Sequence, residues 1–285
     1  MNPKLSYLVC STPRTGSTLL CEGLKRIGHC GLPHEYLNPA ACEGTTRVSR
    51  NGGDLERGLK EILAQGTTSN GVFGMKIHWI DFQSLMKQIL AIEPYRALRV
   101  PEALSRVFPN LRYIHIRRRD KIRQAVSHAK AFSSNIWVVG SGQTMPYSAP
   151  LRYDYFSICE RHQAILQEDA AWERFFRTHS IRPLEIFYED LAEGYGSVLK
   201  SVLQFLGIQA PPGDAFPSPP LRRLANETDH IWYERYSRTP VCFRKGYTAL
   251  RLMRRGPFVF FNYAAKKLAG SPLFQIGSKG SQDRV

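Results

Sequence analysis

Residues 5–20 constrain this chain more than any other stretch. LSYLVC (5–10) is a short apolar run rich in β-formers, the mark of a buried strand. It halts at STPRTG (11–16), where Pro13 and Gly16 force a loop. Ser17 then opens STLLCEGLKRIG, in which Leu19, Leu20, Gly23, Leu24 and Ile27 recur at helical spacing and Gly28 marks the end. A strand that feeds a helix through a tight loop presents unpaired backbone N–H groups and the positive end of the helix dipole, which together suit an anion. Gly16 allows close backbone approach, Ser17 and Thr18 supply hydroxyl donors, and Arg14 can bridge two anionic oxygens. The triphosphatase pattern GxxxxGK[ST] is absent, because Ser17 stands where its lysine would be. A plain β–α turn capped by Ser17 would use the same residues, so the segment alone leaves both readings open.

Strand and helix continue to alternate. A helix near 54–65 leads to a strand at VFGMKIH (72–78) and a helix near 80–92; LRYIHIR (111–117) precedes a helix over about 120–132. A long amphipathic helix is expected from Arg152 to His179, with Tyr155, Ile158, Cys159, Ile165, Leu166, Trp172 and Phe176 on one face. PLEIFY (183–188) is the last clear strand and SVLKSVLQFLGI (197–208) the last clear core helix. This order predicts an α/β fold: a single P-loop-like domain over 1–240 whose central parallel sheet has helices on both faces. A basic extension, partly helical or disordered, follows over 241–285. The polar stretch 133–151, with Gly and Pro, reads as a mobile surface loop.

The charge is +15, from 39 Lys and Arg against 24 Asp and Glu. Nine basic residues against one Asp in 241–285 give that segment +8, which leaves +7 for the first 240. Such a balance favours anionic partners without choosing among nucleotide, nucleic acid, acidic glycan or lipid surface. The six cysteines are scattered with no CxxC pair and no metal spacing, so reduced thiols and no metal are expected. The first residues hold too short an apolar run for a signal peptide, and no run approaches the ~18–20 residues of a membrane span. A soluble, cytoplasmic protein is the expectation.

STPRTGSTLLCEGL resembles the phosphosulfate-binding loop of the sulfotransferases that use 3′-phosphoadenosine-5′-phosphosulfate (PAPS), whose pattern is a strand, P-[KR]-[ST]-G-[ST]-[ST], then a helix. With the PHEY segment that follows, it is most similar to the bacterial trehalose 2-sulfotransferase family, over roughly 5–240 and most sharply at 8–38, 111–128 and 184–208. The resemblance implies that Pro13, Arg14, Thr15, Gly16, Ser17 and Thr18 hold the phosphosulfate of PAPS as co-substrate. It also implies a 3′-phosphate site made by an Arg at a strand end and a Ser eight residues on, which Arg119 and Ser127 match. Arg117 or Arg118 could replace Arg119, and a solvated basic turn capped by Asp120 is the bland alternative. FYEDL (187–191) fits the same frame, with Glu189 and Asp190 read as structural.

Sulfuryl transfer needs positioning, a cation at the leaving phosphate, which Arg14 supplies, and a base for the acceptor hydroxyl. In PHEYLNP the resemblance makes Glu35 the catalytic carboxylate, with Pro33, His34, Tyr36 and Asn38 lining the sugar site. A solvent-facing loop acid is the bland alternative. His78 is the rival base. MKIH (75–78) resembles the Lys-x-His of the cytosolic sulfotransferases, and Lys76 and His78 share one face of a strand. Glu35 is favoured, since the whole-chain likeness is to the sugar enzymes. FRKG (243–246) echoes a donor contact of the cytosolic enzymes. The family likeness implies a homodimer and a sugar or glycolipid acceptor. LRLMRRGPFVFFNYAAKKLAG (250–270) suggests peripheral contact with anionic lipid, against which stands a helix docked on the domain. A basic nucleic-acid-binding protein and a small-molecule kinase are the competing classes. The first lacks a basic stripe with stacking aromatics, so no nucleic acid is expected, and the second lacks the Walker lysine.

Overall fold

A computed structural model of the chain describes residues 3–38, 55–146 and 150–239. Four parallel strands, β1 (Leu5–Ser11), β2 (Val72–His78), β3 (Leu111–Arg117) and β4 (Leu184–Phe187), form one sheet in the order β2-β1-β3-β4. The helices among the described residues are α1 (Ser17–Ile27), α2 (Leu55–Gly66), α3 (Trp79–Ile89), α4 (Val100–Val107), α5 (Lys121–Ser134), α6 (Tyr155–Thr178), α7 (Tyr188–Glu193), α8 (Tyr195–Leu206) and α9 (Glu227–Ser237). The chain divides into two compact units, Met1–Tyr233 and Glu234–Val285, and the whole sheet lies in the first. The extension expected over 241–285, with its FRKG and its amphipathic stretch, lies outside the described residues.

The apolar run of β1 is continuous because both faces of the sheet are covered. Its period of two splits the strand: Leu8 and Cys10 join Phe73, Met75 and Trp172 in one core, while Tyr7 and Val9 join Leu20, Leu24, Ile114 and Leu199 in the other. Helices therefore flank the central parallel sheet on both sides, as the alternation of elements requires.

Register sets where chemistry can occur. Ser11 lies opposite His78 on β2 and Ile116 on β3, and Arg117 lies opposite Phe187 on β4. All four strands thus end at one edge of the sheet. The chain leaves β1 toward β2 and then returns past it to β3, which makes the carboxyl end of β1 a switch point, where open α/β sheets bind ligands.

Besides the six-residue α7, two helices have no counterpart in the sequence reading. The α4 pattern is only eight residues, VPEALSRV, and it starts at a proline and an Arg99–Glu102 capping box. The second, α9, follows a Pro-rich stretch without strong periodicity. The segment after α5, expected to be a mobile loop, is tied down where it is described. Gly140 bridges Leu221, Ser141 N–H donates to the Pro220 carbonyl at 2.7 Å, and Arg222 N–H donates to that of Val139 at 2.9 Å.

His115 illustrates the cost of this core. On β3 it is 1% exposed, it packs against Trp172 and Phe176, and neither ring nitrogen has a hydrogen-bond partner among the described residues. Burial, aided by Arg117 and Lys121, lowers its pKa to about 3. Between about pH 6.5 and 3 the unfolded chain takes up a proton that the folded ring refuses, so stability falls as pH falls, by up to about 1.4 kcal/mol per unit. Denaturant unfolding of wild type and His115→Phe at pH 7 and pH 5 checks this. The variant should lose less stability between the two, whereas equal losses would contradict it.

Candidate active site

The loop Thr12–Gly16 is fixed from beneath. Gln124 on α5 donates to the Thr12 hydroxyl at 2.9 Å and to the Pro13 carbonyl at 2.7 Å; Thr12 donates to Asp169 at 3.2 Å, and Asp169 is ion-paired with Lys121. Trp172 donates from its indole to the Ser11 carbonyl at 3.2 Å. Gly16 sits just before α1 at φ +79°, where a Cβ would lie 2.7 Å from the Tyr188 ring. Only glycine fits that turn without strain. No N-cap side chain caps α1, which leaves its first N–H groups without that partner.

Above the loop is a cavity of about 280 Å³, lined by Arg14, Ser17, Thr18, Arg118, Ser127 and Tyr188 among others. Arg14 takes a left-handed backbone (φ +67°). Its Nε donates to Ser127 Oγ at 3.1 Å and its Nη1 to the Trp137 carbonyl at 2.6 Å. Arg118 stacks on Tyr188 with 4.6 Å between guanidinium and ring, and its Nε is buried with no hydrogen-bond partner among the described residues. Burial lowers the pKa of both arginines, and for Arg14 the neighbouring Arg118 charge lowers it further. Two desolvated like charges in one cavity are costly unless an anion joins them. Arg222 and Arg223 add to the same wall.

The other predicted anion ligands fall elsewhere. Arg117 pairs with Glu173 and Glu185 at the sheet edge. Arg119 is half exposed and forms a two-pronged pair with Asp190 at 2.7 and 2.8 Å, while its N–H reaches Glu189. Of the three consecutive arginines, Arg118 is the one in the cavity wall. Pro13 and Thr15 are not in that wall either, and the buried Thr15 hydroxyl turns inward to the Thr12 carbonyl at 3.0 Å.

The two rival bases touch. After α1, Gly31 takes φ +75° with its Cα so close to β2 that a Cβ would meet Gly74 N at 2.7 Å. This lets 31–35 run along β2: His34 bridges Met75, and Lys76 N–H donates to the His34 carbonyl at 3.0 Å. Glu35 is thereby set beside the two side chains of β2 that point its way. Its Oε1 lies 2.5 Å from Lys76 Nζ and 3.1 Å from His78 Nε2, and its Oε2 accepts from Asn38 at 2.7 Å. The three side chains are 8–14% exposed. Burial alone would raise the Glu35 pKa, but the His78 hydrogen bond and the Lys76 ammonium outweigh it and hold the carboxyl well below the usual range. Lys76 also donates to Thr18 Oγ1 at 2.8 Å, so a lysine from the neighbouring strand reaches the loop that lacks one of its own.

His78 has no nitrogen to spare. Nε2 faces Glu35, and Nδ1 lies 3.2 Å from Ser11 Oγ and 3.1 Å from the Ser11 carbonyl. Nε2–H donates to the Glu35 carboxylate, and Nδ1 is shared between the Ser11 hydroxyl and the Ser11 carbonyl. Of the PHEY segment, Pro33 is buried and His34 exposed, with its Nδ1 accepting from Glu35 N–H at 2.8 Å. Tyr36, expected against a sugar ring, is 8% exposed in the core, its hydroxyl on the Leu32 carbonyl.

Residues 6–239 match the model of the Stf0 sulphotransferases. The chain belongs to the Stf0 sulphotransferase family. Among its relatives are two proteins named trehalose 2-sulfotransferase. That of Mycobacterium tuberculosis is 29% identical over 81% of this chain and 93% of its own length, and that of Mycolicibacterium smegmatis is 28% identical over 82% and 94%. Among solved structures, mouse sulfotransferase SULT7A1 complexed with PAP aligns at 15% identity and a TM-score of 0.40, over 81% of this chain and 64% of that one, a likeness too loose to argue from.

The sequence reading of this Stf0 member did not assign Arg118 alone to the cavity, and it passed over Arg222, Arg223 and Asp169. Arg222 and Arg223 lie in a Pro-rich run with no periodic signal. Asp169 is the exception: an acid on the apolar stripe of α6 is a signal that a pattern search could use.

Proposed function

We propose that this protein moves a sulfuryl group from PAPS to a hydroxyl of a carbohydrate, a trehalose-like glycoside or glycolipid, with Glu35 as the base. The observation that carries the donor assignment is the pair of desolvated arginines, Arg14 and Arg118, in one cavity with Ser127 and the uncapped start of α1. In this reading the α1 end, Ser17 and Thr18 take the phosphosulfate, and Arg118 with Ser127 takes the 3′-phosphate. The trehalose names of the relatives, together with the polar cluster at Glu35, support the sugar acceptor.

The transfer is an in-line displacement. The acceptor oxygen bonds to sulfur as the bond from sulfur to the 5′-phosphate oxygen breaks, the hydroxyl proton passes to Glu35, and the electron pair leaves with the phosphate. Lys76 and Arg14 face the charge that develops there. His78 orients Glu35 rather than taking the proton itself, because its Nε2 is committed to the carboxylate and its Nδ1 to Ser11. The alternative in which His78 is the base for another small acceptor would require both contacts to break.

Calorimetric titration with 3′-phosphoadenosine-5′-phosphate (PAP), the desulfated donor, tests the donor site. Wild type should bind at micromolar level, and Arg118→Ala and Ser127→Ala should each weaken binding, the arginine by about 10- to 100-fold for a lost charge-assisted contact. Absence of binding by wild type would remove the reading.

A further inference from the structure

Glu168 lies outside everything assigned so far. It sits on α6 in the stripe Ile165, Glu168, Trp172 and Phe175, one residue before Asp169, which bonds Thr12 just past the carboxyl end of β1. Trp172, one turn on, bonds the Ser11 carbonyl and packs edge-on against Trp79, the residue after His78, with 5.0 Å between ring centroids. His78 acts electrostatically on Glu168, and also on His128 of α5, which packs against Trp137. Trp172 Nε1 and His78 Nδ1 both lie within hydrogen-bond reach of the Ser11 carbonyl, so the Glu168 turn of α6 sits at the carboxyl end of β1, where His78 meets Glu35.

Glu168 makes no hydrogen bond or ion pair among the described residues, and its Oε2 is buried. Burial pushes its carboxyl up to about 7, with Asp169 and Asp81 adding to the rise and His78 opposing it. A buried carboxyl oxygen without a partner is expensive for folding alone, and such groups collect at functional sites. Asp169 beside it is spent on Thr12 and Lys121; Glu168 is not.

We propose that Glu168 is an acceptor-binding residue that hydrogen-bonds a second hydroxyl of the sugar, next to the one presented to Glu35. This rests on the carbohydrate reading above and adds a determinant of specificity to it. A carboxyl half titrated near neutrality both donates and accepts, which suits a sugar hydroxyl that does the same. A site built to bond a hydroxyl discriminates strongly against the analogue that lacks it.

The test measures steady-state transfer to trehalose and to its monodeoxy analogues by wild type, Glu168→Ala and Glu168→Gln, with PAP affinity and melting temperature measured alongside. Glu168→Ala should raise KM for trehalose by about 10-fold or more, as loss of a charged hydrogen bond implies, with kcat within a few-fold and PAP affinity unchanged. The Gln variant, which keeps shape and one acceptor, should lie between. One monodeoxy analogue should be a poor acceptor for wild type and suffer no further loss with Glu168→Ala. Transfer by wild type combined with an unchanged KM in both variants overturns the role of Glu168 alone. The same holds if Glu168→Ala weakens every analogue equally, since that marks a merely structural role. Failure of wild type to sulfate trehalose or any of its analogues, with PAP still bound, overturns the carbohydrate reading and this inference with it.

Discussion

Glu35→Ala should lower kcat for sulfuryl transfer by about 10²- to 10⁴-fold, the range lost with a positioned general base, while PAP binding stays within a few-fold of wild type. The carboxylate lies outside the wall of the Arg14–Arg118 cavity, so in the proposed mechanism its loss removes the proton acceptor and leaves the donor site standing. Glu35→Gln should be as inactive, since an amide keeps the shape and cannot take the proton. His78→Gln should be milder, because the amide can still donate to Glu35. If His78→Gln were as inactive as Glu35→Ala, and Glu35→Gln nearly active, the assignment would reverse. Single-turnover rates at saturating acceptor separate these outcomes.

Lys76→Met should cost about 10²- to 10³-fold in kcat, comparable to the loss of a transition-state donor. Lys76 bridges the two halves of the site, 2.5 Å from Glu35 and 2.8 Å from the Thr18 hydroxyl at the start of α1. Its removal also changes the pH profile. Lys76 and His78 hold Glu35 ionised well below its ordinary range, so in wild type the base is deprotonated across mildly acidic pH. Without the ammonium, burial is opposed by His78 alone, so the Glu35 pKa rises from its wild-type position. The acid limb of kcat should therefore move to higher pH in Lys76→Met. An unshifted limb with a reduced plateau would mean that Lys76 acts only on the sulfuryl group.

The frame of this site was open to reading because it depends on local pattern. The strand–PRTGST–helix junction and MKIH each carry their geometry in consecutive residues, and the parallel sheet with helices on both faces followed from the alternation of strand and helix. What sequence could not supply were the long-range turns of individual side chains. Whether Arg118 or Arg119 enters the cavity depends on Asp190 and Tyr188, some seventy residues away, which draw one arginine out and stack the other in. The choice between Glu35 and His78 looked like an alternative only because their contact, 3.1 Å across 43 residues, depends on Gly31 letting the loop run along β2. The resemblance set Tyr36 among the residues lining the sugar site, whereas its ring packs in the core.

The most direct measurement is transfer itself. Wild type is incubated with PAPS and trehalose, and both the sulfate ester and PAP are quantified over time. The account predicts one sugar sulfate formed for each PAP released, with no ester from Glu35→Ala under the same conditions. PAP release without a sugar ester, or undiminished ester formation by Glu35→Ala, would contradict it.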